Sequence, residues 1–277
     1  GVFGAVLTAP QQPGRRVAIV GGGFIGLEAA AVTSKLGLQV TVLEGLPRVL
    51  SRVTSPEVSS FYEAAHREAG VDLRTGVAVT AFERGKNGIE VVLGDEDRVE
   101  ADFVIIGIGL IPHTELAAEA GLTVGNGIVV DEFTRTSDPD IFAVGDCSNH
   151  PNALTGGNIR LESVQNAMEQ GRAAAHNLSG EAAPYQTVPW FWSDQYDLKL
   201  QMAGLSAGHD DHVLRGDPAA RSFSGFYLRE GRLIASDSIN RPKDFMMAKR
   251  LVAADCRPTR EQLEDENRNL KSLLPAS

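Results

Sequence analysis

The sequence predicts an α/β chain, with a parallel sheet and a β-meander in its first half and a separate α+β unit at its end. Three observations predict it. Between Arg16 and Leu43 an apolar strand runs into the turn Gly21-Gly22-Gly23, then a helix, then a second apolar strand. The run Ala101 to Ile108 is apolar but for Asp102 and Gly107, as a strand buried on both faces requires. Past Pro184 the pattern changes to short strands joined by Gly-containing turns, ahead of two helical stretches.

Each element follows in order. Residues 1–14 read as a leader or linker, where Pro10 and Pro13 block regular structure. Next come a strand at 16–20, a helix at 24–36 and a strand at 39–43. Ser55 is placed to cap, and Pro56 to open, a helix at 56–69. Its apolar residues Val58, Phe61, Ala65 and Ala69 recur at helical spacing. A short strand is expected at 71–73, and hairpin strands at 77–84 and 89–93 flank Lys86-Asn87-Gly88. The buried parallel strand at 101–108 follows, then extended pieces at 127–130 and 141–144. A helix at 161–178 is expected to bury Val164, Ala167, Met168, Gly171 and Ala175 on one face. Strands at 198–202, 212–215, 222–228 and 233–239 and helices at 242–254 and 259–274 complete the chain.

A chain of 277 residues can bury a sizeable core, and two domains fit better than one. Its 36 acidic against 26 basic residues leave a formal net charge of −10, which argues against a nucleic-acid surface. No apolar stretch approaches membrane-spanning length, and no signal peptide is recognisable, so no membrane association and a cytoplasmic location are expected. Cys147 and Cys256 form no Cys-x-x-Cys motif, and two free thiols suit a reducing compartment.

The chemistry begins at the glycine turn. Gly21 makes the tight turn, Gly23 lets backbone approach a pyrophosphate, and Gly26 lets helix and strand pack closely. Ile25 lies in the same segment and is counted with the binding residues. Free N–H groups and the positive end of the helix dipole point at the phosphates. Glu44 closes the second strand at the distance expected of a carboxylate that holds a ribose and repels a 2′-phosphate. A Rossmann-type unit binding NAD(H) rather than its phosphorylated form is therefore expected. Arg48 and Arg52 lie just downstream, either near the ribose or as solvated loop charges.

Six motifs together carry a family resemblance: VAIVGGGFIGLEAA at 17–30, PRVLSRVTSPEVS at 47–59, IGIGLIPHTELA at 106–117, TSDPDIFAVGDC at 136–147, RLESVQNA at 160–167 and PWFWSDQY at 189–196. From Val17 to Asp244 the chain resembles the C-terminal two-thirds of FAD-dependent, NADH-linked ferredoxin reductases of the putidaredoxin and dioxygenase reductase type. The resemblance implies that FAD and NAD(H) are the cofactors and that an iron–sulfur ferredoxin, or a rubredoxin-like acceptor, is the partner. It assigns Gly145 and Asp146 to the flavin segment, with Asp146 at the ribityl chain, and Val164 to the flavin ring. Trp192, with Trp190 and Phe191, would lie at the flavin edge and the ferredoxin face; an alternating strand with one aromatic buried explains the pattern equally well. Glu28 would orient the nicotinamide and is the one residue assigned to catalysis. Its charge would pair with a lysine of the flavin unit, or be solvated without one. Gly107, Gly109 and Pro112 would line the nicotinamide path.

One departure stands out. Such reductases carry a second glycine-rich unit for the adenosine half of FAD, and no second unit is present in these residues. The expected layout is an NAD-binding Rossmann domain at 15–133, the C-terminal part of a discontinuous FAD-binding domain at 134–186, and an α+β domain at 187–277. The chain reads as a fragment or truncated gene product. The competing reading is a non-catalytic NAD(H)-binding module. Apolar surface that the flavin unit would cover predicts self-association. Cys147-x-x-His150 and the His209–His212 run lack further ligands at metal spacing, so no metal is expected. Arg241, Lys243, Lys249 and Arg250 cluster on an otherwise acidic chain, either steering an acidic ferredoxin or lining an exposed helix face.

Overall fold

The computed structural model describes residues 13–94 and 96–275. Of the expected leader only Pro13 and Gly14 fall within them. Strand β1 (Arg16–Val20) feeds the glycine turn and helix α1 (Phe24–Lys35), and β2 (Gln39–Glu44) follows. Gly37, at φ +80°, ends α1: its N–H donates to Ser34 O and that of Leu38 to Thr33 O, which closes the last carbonyls. Helix α2 (Pro56–Glu68) opens as expected, with Ser55 Oγ accepting from Val58 N at 3.3 Å. Its buried side carries Val58, Tyr62, Ala65 and His66, whereas Ala69 caps the helix exposed. The apolar stripe thus misses two large buried residues, because Tyr62 and His66 face the C-terminal sheet.

Strand β3 (Asp72–Thr75) precedes an antiparallel meander of β4 (Val79–Gly85), β5 (Gly88–Leu93) and β6 (Arg98–Ala101), and β7 (Phe103–Ile106) returns to the parallel sheet. The parallel order is β3-β2-β1-β7, with Ala18 opposite Thr41 and Val104. The expected strand at 101–108 is therefore two strands. Asp102 divides them, its carboxylate accepting from Arg16 N at 2.7 Å. Nor is β7 buried on both faces: it is the edge of this sheet, with Ile106 57% and Ile108 71% exposed.

A short helix α3 (Glu115–Glu119) leads to a small sheet of β8 (Val124–Gly125), β9 (Gly127–Val129), β10 (Ser148–Asn152) and β11 (Gly157–Ile159). The expected strand at 141–144 is not formed; one bridge, Phe142 to Arg135, stands in its place. Helix α4 (Val164–Leu178) starts three residues later than expected, where Ser163 Oγ accepts from Asn166 N at 3.1 Å. Its sides are reversed relative to expectation. Val164, Ala167, Met168 and Ala175 are exposed and Gly171 half-buried, while Gln165, Asn166, Gln170 and Asn177 are buried with Ala173 and Ala174. Each of these polar residues finds backbone or side-chain partners; Asn177, for one, donates to the carbonyls of Phe133 and Ala183.

The C-terminal unit is an antiparallel sheet of β12 (Trp190–Gln195), β13 (Leu198–Gly204), β14 (Asp211–Asp217), β15 (Ser222–Arg229) and β16 (Arg232–Ile239) in the order β12-β13-β16-β15-β14. Helix α5 (Pro242–Ala253) packs on it. The helix expected at 259–274 is broken into α6 (Arg260–Glu264) and a 3₁₀ turn at Leu270–Leu273. The cause is Arg215, 4% exposed, whose guanidinium donates to the carbonyls of Leu263, Asp265, Glu266 and Arg268. Four carbonyls that converge on one guanidinium are not aligned along a common helix axis, so the helix stops at Glu264. Leu198, Leu200, Phe223 and Ile239 of this sheet share one core cluster with Val17, Ile19, Leu27 and Tyr62, so the two units are packed together.

Candidate dinucleotide site

The glycine turn is closed on two sides and open on one. Gly21 has φ +106°, and a Cβ there would collide with the carbonyl of Gly107; one on Gly26 would collide with the carbonyl of Gly21. A Cβ on Gly23 would meet nothing within 4 Å. Packing fixes the outer glycines, and the middle approach is left clear. The first N–H groups of α1 have no partner within the helix and carry its positive dipole end. Ile25, 50% exposed, stands on that first turn.

Glu44 ends β2 beside the turn. Its Oε2 accepts from Gly22 N at 2.5 Å and its Oε1 from Leu46 N at 2.7 Å. Each oxygen keeps a further lone pair for a hydroxyl donor. Arg48 points inward, donating to Ser51 O at 2.9 Å and Ser59 Oγ at 2.5 Å, and so braces the loop before α2. It is therefore not the solvated loop charge that is one of its two expected readings. Arg52 lies exposed on the same loop. A dinucleotide fits these residues: clear backbone at Gly23, free helix N–H groups and a fixed carboxylate one strand away.

Gly107 donates its N–H to Val20 O at 2.8 Å, which seats the following loop beside the turn. Gly109, at φ +113°, and the exposed Ile108, Leu110 and Ile111 rise from there.

Glu28 departs from expectation. Its partner is in the C-terminal sheet: Ser193 Oγ donates to Glu28 Oε1 at 2.6 Å. Burial pushes the Glu28 carboxyl above its ordinary pKa; the Ser193 hydrogen bond pulls it back, and the nearby Asp194 charge raises it again. Ser193, Gln195, His66 and Tyr196, which continue this contact, were not among the residues singled out from sequence. The legible signal was the alternation Phe191, Ser193, Gln195 opposite the helical spacing Phe24, Glu28.

The remaining expected residues gather around the start of α4. Gly145, at φ +79° in a 3₁₀ turn over Gly145–Cys147, donates its N–H to Gln170 Oε1 at 2.7 Å. Asp146 follows, exposed as a residue, with the pKa of its carboxyl raised by partial desolvation and by the Glu162 charge, while Arg160 opposes. Arg160 also donates to the Asp146 carbonyl at 3.0 Å. Val164, 55% exposed, opens α4, and Trp190 N donates to Gln165 Oε1 at 3.3 Å, bringing β12 alongside. Trp192 is 38% exposed, with its ring 5.5 Å from that of Trp190, over which Lys249 Nζ lies at 5.2 Å. An exposed carboxylate, the helix start at Val164 and open apolar side chains fit one side of a flavin. Among the described residues no group of three or more His, Cys, Asp or Glu could hold a metal ion. Nor is any described helix long and apolar enough to cross a membrane.

Residues 5–171 match the family model described as pyridine nucleotide-disulphide oxidoreductase, and residues 190–274 match that described as reductase C-terminal. The ferredoxin reductase subunit of the 5,5'-dehydrodivanillate O-demethylase of Sphingobium sp. (strain NBRC 103272 / SYK-6) is 50% identical over 264 residues, 94% of this chain and 64% of the relative. Putidaredoxin reductase of Pseudomonas putida is 47% identical over 265 residues, 95% of this chain and 63% of the relative. The reductase in the crystal structure of the covalent putidaredoxin reductase–putidaredoxin complex superposes with a TM-score of 0.91 at 46% identity, over 95% of this chain and 64% of that one. The chain thus spans about 64% of the length of the relatives it matches.

Proposed function

The chain belongs to the pyridine nucleotide-disulphide oxidoreductase family, and we propose that it acts in an NADH-dependent ferredoxin reductase, in which electrons pass from NADH through FAD to an iron–sulfur ferredoxin or a rubredoxin-like acceptor. One observation carries the nucleotide part of this reading. A carboxylate, Glu44, is fixed beside a glycine turn that is closed at Gly21 and Gly26 and open at Gly23.

In the proposal, the N–H groups around Gly23 and Ile25 hold the pyrophosphate. Glu44 accepts from the adenosine ribose and disfavours a 2′-phosphate, so NADH is the donor; Arg52, exposed nearby, borders this end. The loop of Gly107, Gly109 and Pro112 lines the nicotinamide path, and Glu28 orients the ring. Asp146, following Gly145, accepts from the ribityl hydroxyls, Val164 offers the N–H of the α4 start to the flavin ring, and Trp192 closes its edge. FAD, when bound, supplies the conversion of a hydride into single electrons. The chain's own share is to bind and orient. Residues 15–133, 134–186 and 187–277 would then be the NAD domain, a flavin-domain segment and the partner-facing domain, in a cytoplasmic protein. Lys249 and the Trp190–Trp192 edge mark the side that meets an acidic acceptor.

A second reading, a nucleotide-binding module without turnover, is favoured by the openness of the flavin side, where Val164 is 55% and Met168 53% exposed. A visible spectrum of the protein mixed with FAD and desalted, then treated with NADH, separates them. A retained flavin band that NADH bleaches supports the reductase. A colourless protein that still binds NADH supports the module, and a protein that binds neither overturns both.

A further inference from the structure

Behind Glu28 runs a chain of buried polar side chains in which every donor has one acceptor. The Ser193 hydroxyl donates to Glu28 Oε1 at 2.6 Å and accepts from Gln195 Nε2 at 3.1 Å. Gln195 Oε1 accepts from His66 Nε2 at 2.9 Å, which leaves His66 Nδ1 to accept from the Tyr196 hydroxyl at 2.9 Å. This order requires a neutral His66 with its proton on Nε2, and burial lowers its pKa in the same sense. Ser193, Gln195 and His66 are 1%, 0% and 0% exposed. They come from β12 and α2, whereas Glu28 is on α1, so the chain of bonds joins three elements of two units.

Packing alone does not call for it. Apolar side chains of similar volume at Ser193, Gln195 and His66 would hold the units together without the desolvation cost of three polar side chains. What the arrangement does supply is a single orientation. The directed bonds aim one hydroxyl hydrogen at one carboxylate oxygen and leave the second, Oε2, for another donor.

We propose that Ser193, backed by Gln195, His66 and Tyr196, is a positioning residue that holds the Glu28 carboxylate in one rotamer and ionised, as acceptor for the amide N–H of a bound nicotinamide. This rests on the reading that the chain binds NADH. The other titratable groups facing Glu28 are Asp194 on β12 and Tyr62 on α2. The Asp194 charge favours protonated Glu28, the Asp194 backbone N–H opposes that, and Tyr62, buried and held neutral, contributes no charge. Removing the Ser193 hydroxyl therefore leaves burial and the Asp194 charge opposed only by the Asp194 N–H. Glu28 then takes up a proton at higher pH and becomes a neutral, weaker acceptor.

The test is binding of NADH and of ADP-ribose, which lacks the nicotinamide, to the full 277-residue chain and its Ser193→Ala and Ser193→Thr variants across about pH 5 to 8. Ser193→Ala is expected to lose about tenfold in NADH affinity, as for one hydrogen bond to a charged group. Its affinity should also begin to fall at a higher pH than in the unsubstituted chain. Ser193→Thr should restore both, and ADP-ribose binding should be the same in all three. Ser193→Ala binding NADH with unchanged affinity and pH profile overturns the proposal alone. Failure of the unsubstituted chain to bind either ligand overturns the functional reading and the proposal with it. Should Ser193→Ala not fold, carbon-13 detection of the Glu28 carboxyl, assigned with Glu28→Gln, gives a second readout. NADH lowering its pKa supports the proposal, and no response to NADH overturns it.

Discussion

Phe24 and Phe191 set the register between the nucleotide unit and the C-terminal sheet, with ring centroids 4.7 Å apart. Four residues further along α1, Glu28 meets Ser193, two residues further along β12. A helix rises about 6 Å in four residues and a strand about 6.6 Å in two, so one contact brings the next into line. Near the far end of the helix Lys35 Nζ donates to Tyr196 O at 3.0 Å. The edge strand of one unit thus lies along the helix that opens the nucleotide site of the other.

Gly26 and Gly23 should respond oppositely to alanine. At Gly26 a Cβ collides with the Gly21 carbonyl, so Gly26→Ala should cost about 1–3 kcal/mol and displace the turn. At Gly23 the space is open and the backbone extended, φ −80° and ψ −175°, so stability should stay within about 0.5 kcal/mol. Its methyl group would stand where the pyrophosphate approaches, and NADH affinity should fall at least tenfold. Urea denaturation and NADH titration of both variants check the pair.

Asp237 makes stability fall as pH rises. Its carboxyl, 1% exposed, is raised by burial from 3.8 to about 7, while the Tyr227 hydroxyl, at 2.5 Å, acts the other way. Between these values the folded state binds the proton and the unfolded state does not. The stabilisation is complete below about pH 4 and lost as pH passes about 7. Asp237→Asn keeps an acceptor for Tyr227 and removes the titration. Unfolding at about pH 5 and 8 should show the variant gaining on the natural chain by about 3 kcal/mol, one pKa unit being about 1.4 kcal/mol.

Arg215 should be indispensable to the last 15 or so residues described. Its guanidinium holds four carbonyls between Leu263 and Arg268 and pairs with Asp244 at 3.4 Å. Arg215→Met leaves those carbonyls without their donor, while Asp244 keeps Arg241 Nε at 2.7 Å, at a cost of about 1–3 kcal/mol. Hydrogen exchange should speed up across residues 260–274 first. Lysine, a single ammonium on a flexible stem, should rescue little of this.

The open apolar side should drive self-association. Ile111 is 87%, Leu116 82%, Val164 55% and Met168 53% exposed, and large apolar side chains left this open favour association where they adjoin. Light scattering of the purified chain should show concentration-dependent oligomers, reduced by Ile111→Asp with Met168→Glu. A monomer at all concentrations would contradict this.

Much of the fold was legible because its signals are local. Ser55-Pro56 announces the start of α2, and the spacing from Gly21 to Glu44 needs only one strand, one helix and a second strand. What escaped is decided by distant partners. The α4 helix turns Gln165, Gln170 and Asn177 inward, where Gln165 meets Trp190 N, Gln170 meets Gly145 and Ser148, and Asn177 meets the Phe133 carbonyl; helical periodicity cannot show that. The broken C-terminal helix answers to Arg215, about 50 residues upstream. Glu28 was recognisable as a buried acid in need of a partner, but Ser193 is 165 residues away and its alternation reads equally as plain packing. The candidate site was legible as a motif, and its support was not.

The most direct measurement is titration of the 277-residue chain with NADH and NADPH, followed by nicotinamide fluorescence, beside a Glu44→Ala variant. A saturable change with NADH, at least tenfold weaker with NADPH and levelled in Glu44→Ala, is the result expected of Glu44 beside an open Gly23. No saturable change with either nucleotide, or equal binding of both by the unsubstituted chain, would contradict the account.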